Sequence, residues 1–314
     1  MTARSPIDPG APLRRRTPLW RRTLHVLAAA LMVVFILAAC ETPAASVAPT
    51  PTRAPEPTPT QTVYELARDV WYEGLVLHID RATAVLDARG GTIDVAFRIE
   101  NPGAEASELD ARMILIVAGN RLEPTRESHV PATPASETTL ALLTFELQEI
   151  ASADDGVLEI GADPEHIAKV PFGPAGGEAL TFEPVNLKLK GTGAAGDIRI
   201  ALRSGVIRWD LPDWSQQLAE DLRALTLTYD VTYVGSFDGG FAFTGDNVAL
   251  RLPDGKVIEP RRDGHSQSIE LIRPGVTQKN LISRFEIPVG ATGKFQLVVR
   301  NGGTNKGIVF TIDG

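Results

Sequence analysis

The sequence predicts an all-β protein: two tandem antiparallel sandwiches, set behind an N-terminal export segment and a Pro/Thr-rich linker. Three observations predict this. From Val63 onward the chain is built of short β-branched and aliphatic runs punctuated by Gly, Pro, Asn and Asp. Several of those runs alternate apolar and polar residues with a period of two, the pattern of a half-buried strand. Parts of the chain also recur at a spacing near 140 residues, which marks a duplicated unit.

The alternation is clearest in Thr92-Ile93-Asp94-Val95-Ala96-Phe97-Arg98-Ile99, which puts Ile93, Val95, Phe97 and Ile99 on one face. It returns in Leu225–Tyr233 and in Lys294–Val299. Runs of this kind at intervals of about 10–15 residues favour antiparallel sandwiches over βαβ units. In the repeat, Arg121-Leu122-Glu123-Pro124 matches Val257-Ile258-Glu259-Pro260, and Leu142–Leu147 parallels Leu281–Ile287, at offsets of 136 and 140 residues. The expected copies are 63–185 and 186–314, each long enough for a sandwich of seven to nine strands. Within the second copy, Asp213 as N-cap with Leu218 and Leu222 on one face predicts a helix over 213–223. It would be an insertion where the first copy has only the turn Asp87-Ala88-Arg89-Gly90-Gly91.

The N-terminus reads as an address. Arg14, Arg15, Arg16, Arg21 and Arg22 precede an uncharged run from Thr23 to Ala39, which ends in Leu37-Ala38-Ala39-Cys40. A basic segment, an apolar stretch and small residues before a break are the parts of a secretory signal. The junction resembles the bacterial lipoprotein box. That resemblance implies that residues 1–39 are removed and that the Cys40 thiol carries a diacylglyceryl group. The expected location is therefore extracytoplasmic, lipid-anchored to the bacterial cell membrane. An uncleaved transmembrane anchor is the competing reading, since a run of about 17 residues lies at the lower limit for a span. Residues 40–62 follow as the lipidated cysteine and its linker. Positions 41–62 hold six prolines and six threonines with no aromatic residue. Such composition cannot bury enough surface to fold, and proline biases it to an extended form reaching roughly 70 Å.

Composition bounds the chemistry. Cys40 is the only cysteine, so there is no intramolecular disulfide and no Cys-based metal site. The net charge of −8 becomes −13 once residues 1–39 are removed, which disfavours nucleic acid as a partner. No Gly-x-Ser-x-Gly elbow, phosphate loop or His-Glu-x-x-His motif is present, so no catalytic residues, metal or cofactor are expected. His78, His129, His166 and His265 are scattered. His129 and His265 stand at matching loop positions of the two copies. Asp154-Asp155-Gly156, Asp238-Gly239-Gly240, Asp246-Asn247, Asp254-Gly255 and Asp263-Gly264 read as tight turns, and none fits a calcium loop.

In the second copy, Leu250–Pro260 reads as strand, Asp-Gly turn, strand, and Ile272-Arg273-Pro274-Gly275 leads into Leu281–Pro288. This pattern resembles the telokin-like, immunoglobulin-fold domains of unknown function found in bacterial lipoproteins. In the first copy, Ile99-Glu100-Asn101-Pro102-Gly103 is similar to that family's strand-end motif. The resemblance implies an immunoglobulin-like fold and brings no functional residues with it. Trp209 and Trp214 flank Asp210-Leu211-Pro212-Asp213 in the insertion and are the candidate ligand-binding residues. The sequence therefore points to a non-catalytic, membrane-anchored display protein with an unidentified protein or envelope partner. The alternative is a carbohydrate or small-ligand module using the Trp209–Trp214 insertion.

Overall fold

The computed structural model describes residues 58–262, 269–301 and 305–313. The predicted signal segment, the Leu37-Ala38-Ala39-Cys40 box, linker residues up to 57, His265 and Asp263-Gly264 lie outside them.

The first half contains β1 (Thr60–Tyr72), β2 (Leu75–Asp87), β3 (Gly90–Glu100), β4 (Met113–Val117), β5 (Asn120–Leu122), β6 (Thr138–Gln148), β7 (Val157–Ile160) and β8 (Ala168–Pro171). They form two antiparallel sheets, ordered β1-β2-β3-β6 and β5-β4-β7-β8. Both sheets contribute to one core, with Leu77, Val95, Phe97 and Phe145 from the first and Leu115, Leu158 and Val170 from the second. This is a β-sandwich. The predicted alternation holds in β3, where Ile93, Val95, Phe97 and Ile99 are buried.

The second half contains β9 (Val185–Leu187), β10 (Gly191–Ala195), β11 (Ile198–Arg208), β12 (Asp210–Leu211), β13 (Gln216–Gln217), β14 (Leu222–Tyr233), β15 (Phe241–Phe243) and β16 (Val248–Arg251). It continues with β17 (Val257–Ile258), β18 (Glu270–Ile272), β19 (Thr277–Pro288), β20 (Gly293–Val299), β21 (Asn305–Lys306) and β22 (Ile308–Ile312). Its main sheets run β19-β14-β11-β10-β21 and β17-β16-β20-β22 around a second core. Leu225, Leu227, Tyr229, Val231 and Tyr233 of β14 face that core, as do Phe295, Leu297 and Val299 of β20.

The order β10-β11-β14-β19 over β17-β16-β20-β22 repeats β1-β2-β3-β6 over β5-β4-β7-β8 strand for strand. Both sequence repeats fall on equivalent strands: β5 matches β17, and β6 matches β19. Leaving aside the leading strand of each half, three strands face four in the arrangement of an immunoglobulin-like Greek key. Between Phe182, which is buried in the first core, and Val185, which pairs with Ile207 of β11, the chain passes from one sandwich to the other.

Two expectations need correction. Strand β1 begins at Thr60, so Thr60, Gln61 and Thr62 belong to the sheet rather than the linker, paired with Leu86, Val85 and Ala84. β-Branched threonine suits a strand as well as a spacer, and proximity to a hairpin partner decides. Residues 213–223 form no α-helix. They comprise the end of a 3₁₀ turn (Pro212–Trp214), strand β13, a turn and the start of β14. Asp213 is drawn off to accept from the Arg284 guanidinium at 2.7 Å, and Ser215 adopts a left-handed φ of 45° that interrupts any helix. Leu218 instead packs with Leu211 and Ala224 in a small separate cluster. The insertion does lie between β11 and β14, opposite the β2–β3 turn of the first half.

Candidate functional site at the junction of the sandwiches

Strands β1 and β2 are joined by Glu73 and Gly74 alone, a two-residue turn between the paired residues Tyr72 and Leu75. Both turn residues have positive φ, 52° and 85°, as a tight hairpin of this kind requires. Gly74 has a second constraint: a Cβ there would lie 2.7 Å from Pro212 Cα of the insertion. The hairpin tip is thus fitted against the β12–β13 hairpin.

The insertion grips this tip by its backbone. The Gly74 N–H donates to Asp210 Oδ2 at 2.8 Å, and the Glu73 N–H donates to Gln217 Oε1 at 3.3 Å. Asp210 and Gln217 face each other across β12 and β13 and are 3% and 2% exposed. Arg208 holds the Asp210 carboxylate in a two-point grip, Nε to Oδ1 at 2.6 Å and Nη2 to Oδ2 at 2.9 Å. Such charge-assisted pairs fix geometry as well as adding energy.

A second set of contacts comes from the loop between β7 and β8. The His166 N–H donates to the Leu218 carbonyl at 3.0 Å, and the Glu220 N–H donates to the Pro164 carbonyl at 2.9 Å. His166 Nε2 lies 2.6 Å from the Leu222 carbonyl oxygen, which can only accept, so this nitrogen carries the hydrogen. The Tyr72 hydroxyl donates to Glu165 Oε2 at 3.1 Å. The Phe182 ring stands 5.0 Å from His166 and 6.0 Å from Trp209.

The Glu73 carboxyl group turns back to the first sandwich, where the Asp110 N–H donates to Oε2 at 3.1 Å. It is 7% exposed. Burial, opposed by that N–H and reinforced by the charges of Glu165, Asp110 and Asp210, pushes its pKa up to about 7. Over it opens a cleft of about 360 Å³, walled by Glu73, Gly74, the Asn101–Ser107 loop, Pro212, Asp213 and Ser215. Asn101 pins the loop: its Nδ2 donates to the Glu105 and Thr133 carbonyls, and its Oδ1 accepts from the Gly103 N–H. Ser107 Oγ and Ser215 Oγ, 3.0 Å apart, join the two walls.

The two candidate tryptophans separate into different roles. Trp209 is partly buried against the first core. Trp214 sits on the 3₁₀ turn between two cleft residues, Asp213 and Ser215, and is 48% exposed. Acidic-turn side chains accept from backbone donors: Asp155 from the Ala118 N–H of a neighbouring turn, and Asp254 from the Lys256 N–H within its own turn. His129 makes backbone bonds with Leu142 along the edge of β6. His78 lies on the outer face of the first sheet, with Nδ1 2.7 Å from Asp69 Oδ1 and Nε2 3.0 Å from Glu100 Oε2. Among the described residues, no group of three His, Asp or Glu side chains gathers as a metal site.

Sequence reasoning missed Glu73, Glu165, Asp210 and Gln217. The turn Glu73-Gly74 between two strand patterns was a readable hairpin signal. The partners of that turn come from residues 136 and 144 positions away and carried no local signal.

The fold defines an all-β protein of two tandem antiparallel sandwiches joined through a buried polar junction. No family model matches the chain, and no curated protein matches its sequence. Among solved structures it is similar to one titled "The crystal structure of the conserved domain protein from Bacillus anthracis". That similarity has 11% identity over 80% of this chain and 90% of that chain, with a TM-score of 0.22. The fold assignment rests on the sheet order given above.

Proposed function

We propose that the protein is a non-catalytic, lipid-anchored extracytoplasmic protein that displays two immunoglobulin-like, telokin-like sandwiches on a spacer for contact with a protein or envelope partner. The observation that carries this reading is Leu37-Ala38-Ala39-Cys40, placed after an uncharged run and before a segment rich in proline and threonine. The described fold is compatible with it. Strand β1 starts at Thr60, at the end remote from the junction, and reaches the junction at Tyr72. Strand β14 leaves the junction at Leu222 and ends at Tyr233. Each run covers about 40 Å at the usual rise of a strand. Near the Tyr233 end, Phe237, Ile269 and Leu271 are exposed apolar residues, the kind of side chain that contact with a partner buries. Replacing Cys40 with Ala tests the anchor: the variant should accumulate as an uncleaved precursor, and normal processing would overturn the reading.

A second reading, a carbohydrate or small-ligand module, is favoured by one observation. Trp214 is half-exposed beside a cleft whose walls carry Glu105, Asp213 and two serine hydroxyls. An aromatic face next to hydroxyl and carboxylate acceptors suits a polyhydroxylated ligand.

A further inference from the structure

The acid excess of the chain belongs to one sandwich. Residues 63–185 hold 22 acidic and 8 basic side chains, whereas residues 186–314 hold 14 and 16, so an anion is repelled far less by the second half. Many arginines there face a carboxylate: Arg203 pairs with Asp230, Arg208 with Asp210 and Arg300 with Glu259. Arg199 and Lys306 differ. Among the described residues neither forms an ion pair, and Arg199 donates only through Nη1, to the Gly196 carbonyl at 2.7 Å and the Ile198 carbonyl at 3.0 Å. Those bonds hold the guanidinium in place without neutralising it, and they leave its Nε and Nη2 for another acceptor.

The strand register brings these two cations together. Lys306 of β21 pairs with Ala194 of β10, Ala194 with Arg199 of β11, Arg199 with Thr232 of β14, and Thr232 with Thr277 of β19. Residues paired across neighbouring strands share a face, and because Ala195, Ile198 and Tyr233 next to them are buried, this row faces outward. Arg199 and Lys306 thus stand two strand spacings apart, about 10 Å, with only the methyl group of Ala194 between them. They line a cleft of about 320 Å³ whose walls also carry the Thr192 and Thr232 hydroxyls and no carboxylate. The Thr232 and Thr277 hydroxyls are 2.7 Å apart; one donates to the other, and the accepting hydroxyl keeps its own hydrogen to give. Asp230, two residues before Thr232, is taken up by Arg203 and the Asn280 N–H. The sandwich itself does not call for this row. Its counterpart in the first half reads Trp71, Val76, Glu100 and Thr138, with one carboxylate and no cation.

We propose that this row is a binding site for a single phosphate group carried on a small molecule, held between the Arg199 guanidinium and the Lys306 ammonium, with a threonine hydroxyl of the cleft as a further donor. The tetrahedral oxygens of a phosphate accept from several directions at once, which suits a guanidinium edge, an ammonium and a hydroxyl set around one point. Long polyanions are disfavoured, because the rest of the chain is acidic. The site lies at the end of β14 remote from the junction, so it is separate from the cleft beside Trp214. It stands whether or not Cys40 is lipidated.

The test is phosphorus NMR of glycerol phosphate titrated with the full-length chain in a neutral detergent. The parent protein should shift and broaden the phosphorus line saturably, and inorganic phosphate should compete. Arg199→Gln and Lys306→Gln should each weaken the apparent affinity by about tenfold, the worth of one charge-assisted contact. Lys256→Gln removes an exposed positive charge elsewhere on the same sandwich and should change the affinity by less than about twofold, since a distant surface charge is screened. All three side chains are exposed, so their loss leaves the fold intact. A parent protein that gives no saturable change overturns the site. So does parent-like affinity in both Arg199→Gln and Lys306→Gln, or an equal loss in all three variants, which would assign the effect to diffuse attraction.

Discussion

The Asp210 carboxylate accepts the Gly74 N–H at 2.8 Å, so a side chain inserted into the second sandwich closes the first hairpin of the first. Arg208, two residues before Asp210, supplies the positive charge that makes a buried carboxylate tolerable there. Trp209 lies between them in sequence and packs the other way, onto the first core. Two of these three consecutive residues tie the halves together, Asp210 through the Gly74 N–H and Trp209 through an aromatic contact, and Arg208 holds Asp210 in place from within the second sandwich.

Asp210→Ala should destabilise the protein by about 2–3 kcal/mol in denaturant unfolding. It strands the Gly74 N–H and leaves Arg208, itself mostly buried, without its carboxylate. Asp210→Asn keeps an acceptor for Gly74 and should cost less. An Ala variant within about 0.5 kcal/mol of the parent would show that the clamp contributes nothing.

The fold was largely legible in the sequence because period-two alternation and tandem repetition are local or self-referential signals. Ile93 to Ile99 and Leu225 to Tyr233 show their inward faces without any tertiary information. The junction was not legible in the same way. Leu218 and Leu222 have helical spacing, but Asp213 is claimed by Arg284 from β19, 71 residues on, and the segment is held extended by the β1–β2 tip. Tertiary hydrogen bonds outweighed local propensity. Trp209 and Trp214 stand out together in the sequence, yet nothing in their spacing told which one would be buried.

The two tryptophans can be distinguished by mutation. Trp209→Ala removes a ring packed on Phe182 and the first core and should cost about 2–4 kcal/mol. Trp214→Ala, at a half-exposed ring, should cost less. If the ligand-binding reading holds, a glycan array probed with the parent protein gives signal that Trp214→Ala loses. An array blank for the parent protein would set that reading aside.

His78 should titrate above the ordinary histidine value. Partial burial pulls its pKa down, but the hydrogen bonds to Asp69 and Glu100 outweigh burial and raise it. A raised histidine pKa means stability that is fully present below about 6.5, the unfolded value, and is lost as pH climbs through the folded one. Glu73 acts in the same direction. Its proton is held more tightly in the folded state, so its contribution falls as pH rises from the unfolded carboxyl value toward about 7. Imidazole resonances followed by NMR should place the His78 midpoint above 6.5, and Asp69→Asn should lower it. A midpoint at or below 6.5 would contradict the bridging geometry.

The most direct measurement of the central claim is mass spectrometry of the mature N-terminus of the protein isolated from its native membrane. A display protein held by lipid predicts a chain that begins at Cys40 and carries a diacylglyceryl group on the thiol. A chain that still contains residues 1–39, or one with an unmodified Cys40, would contradict it.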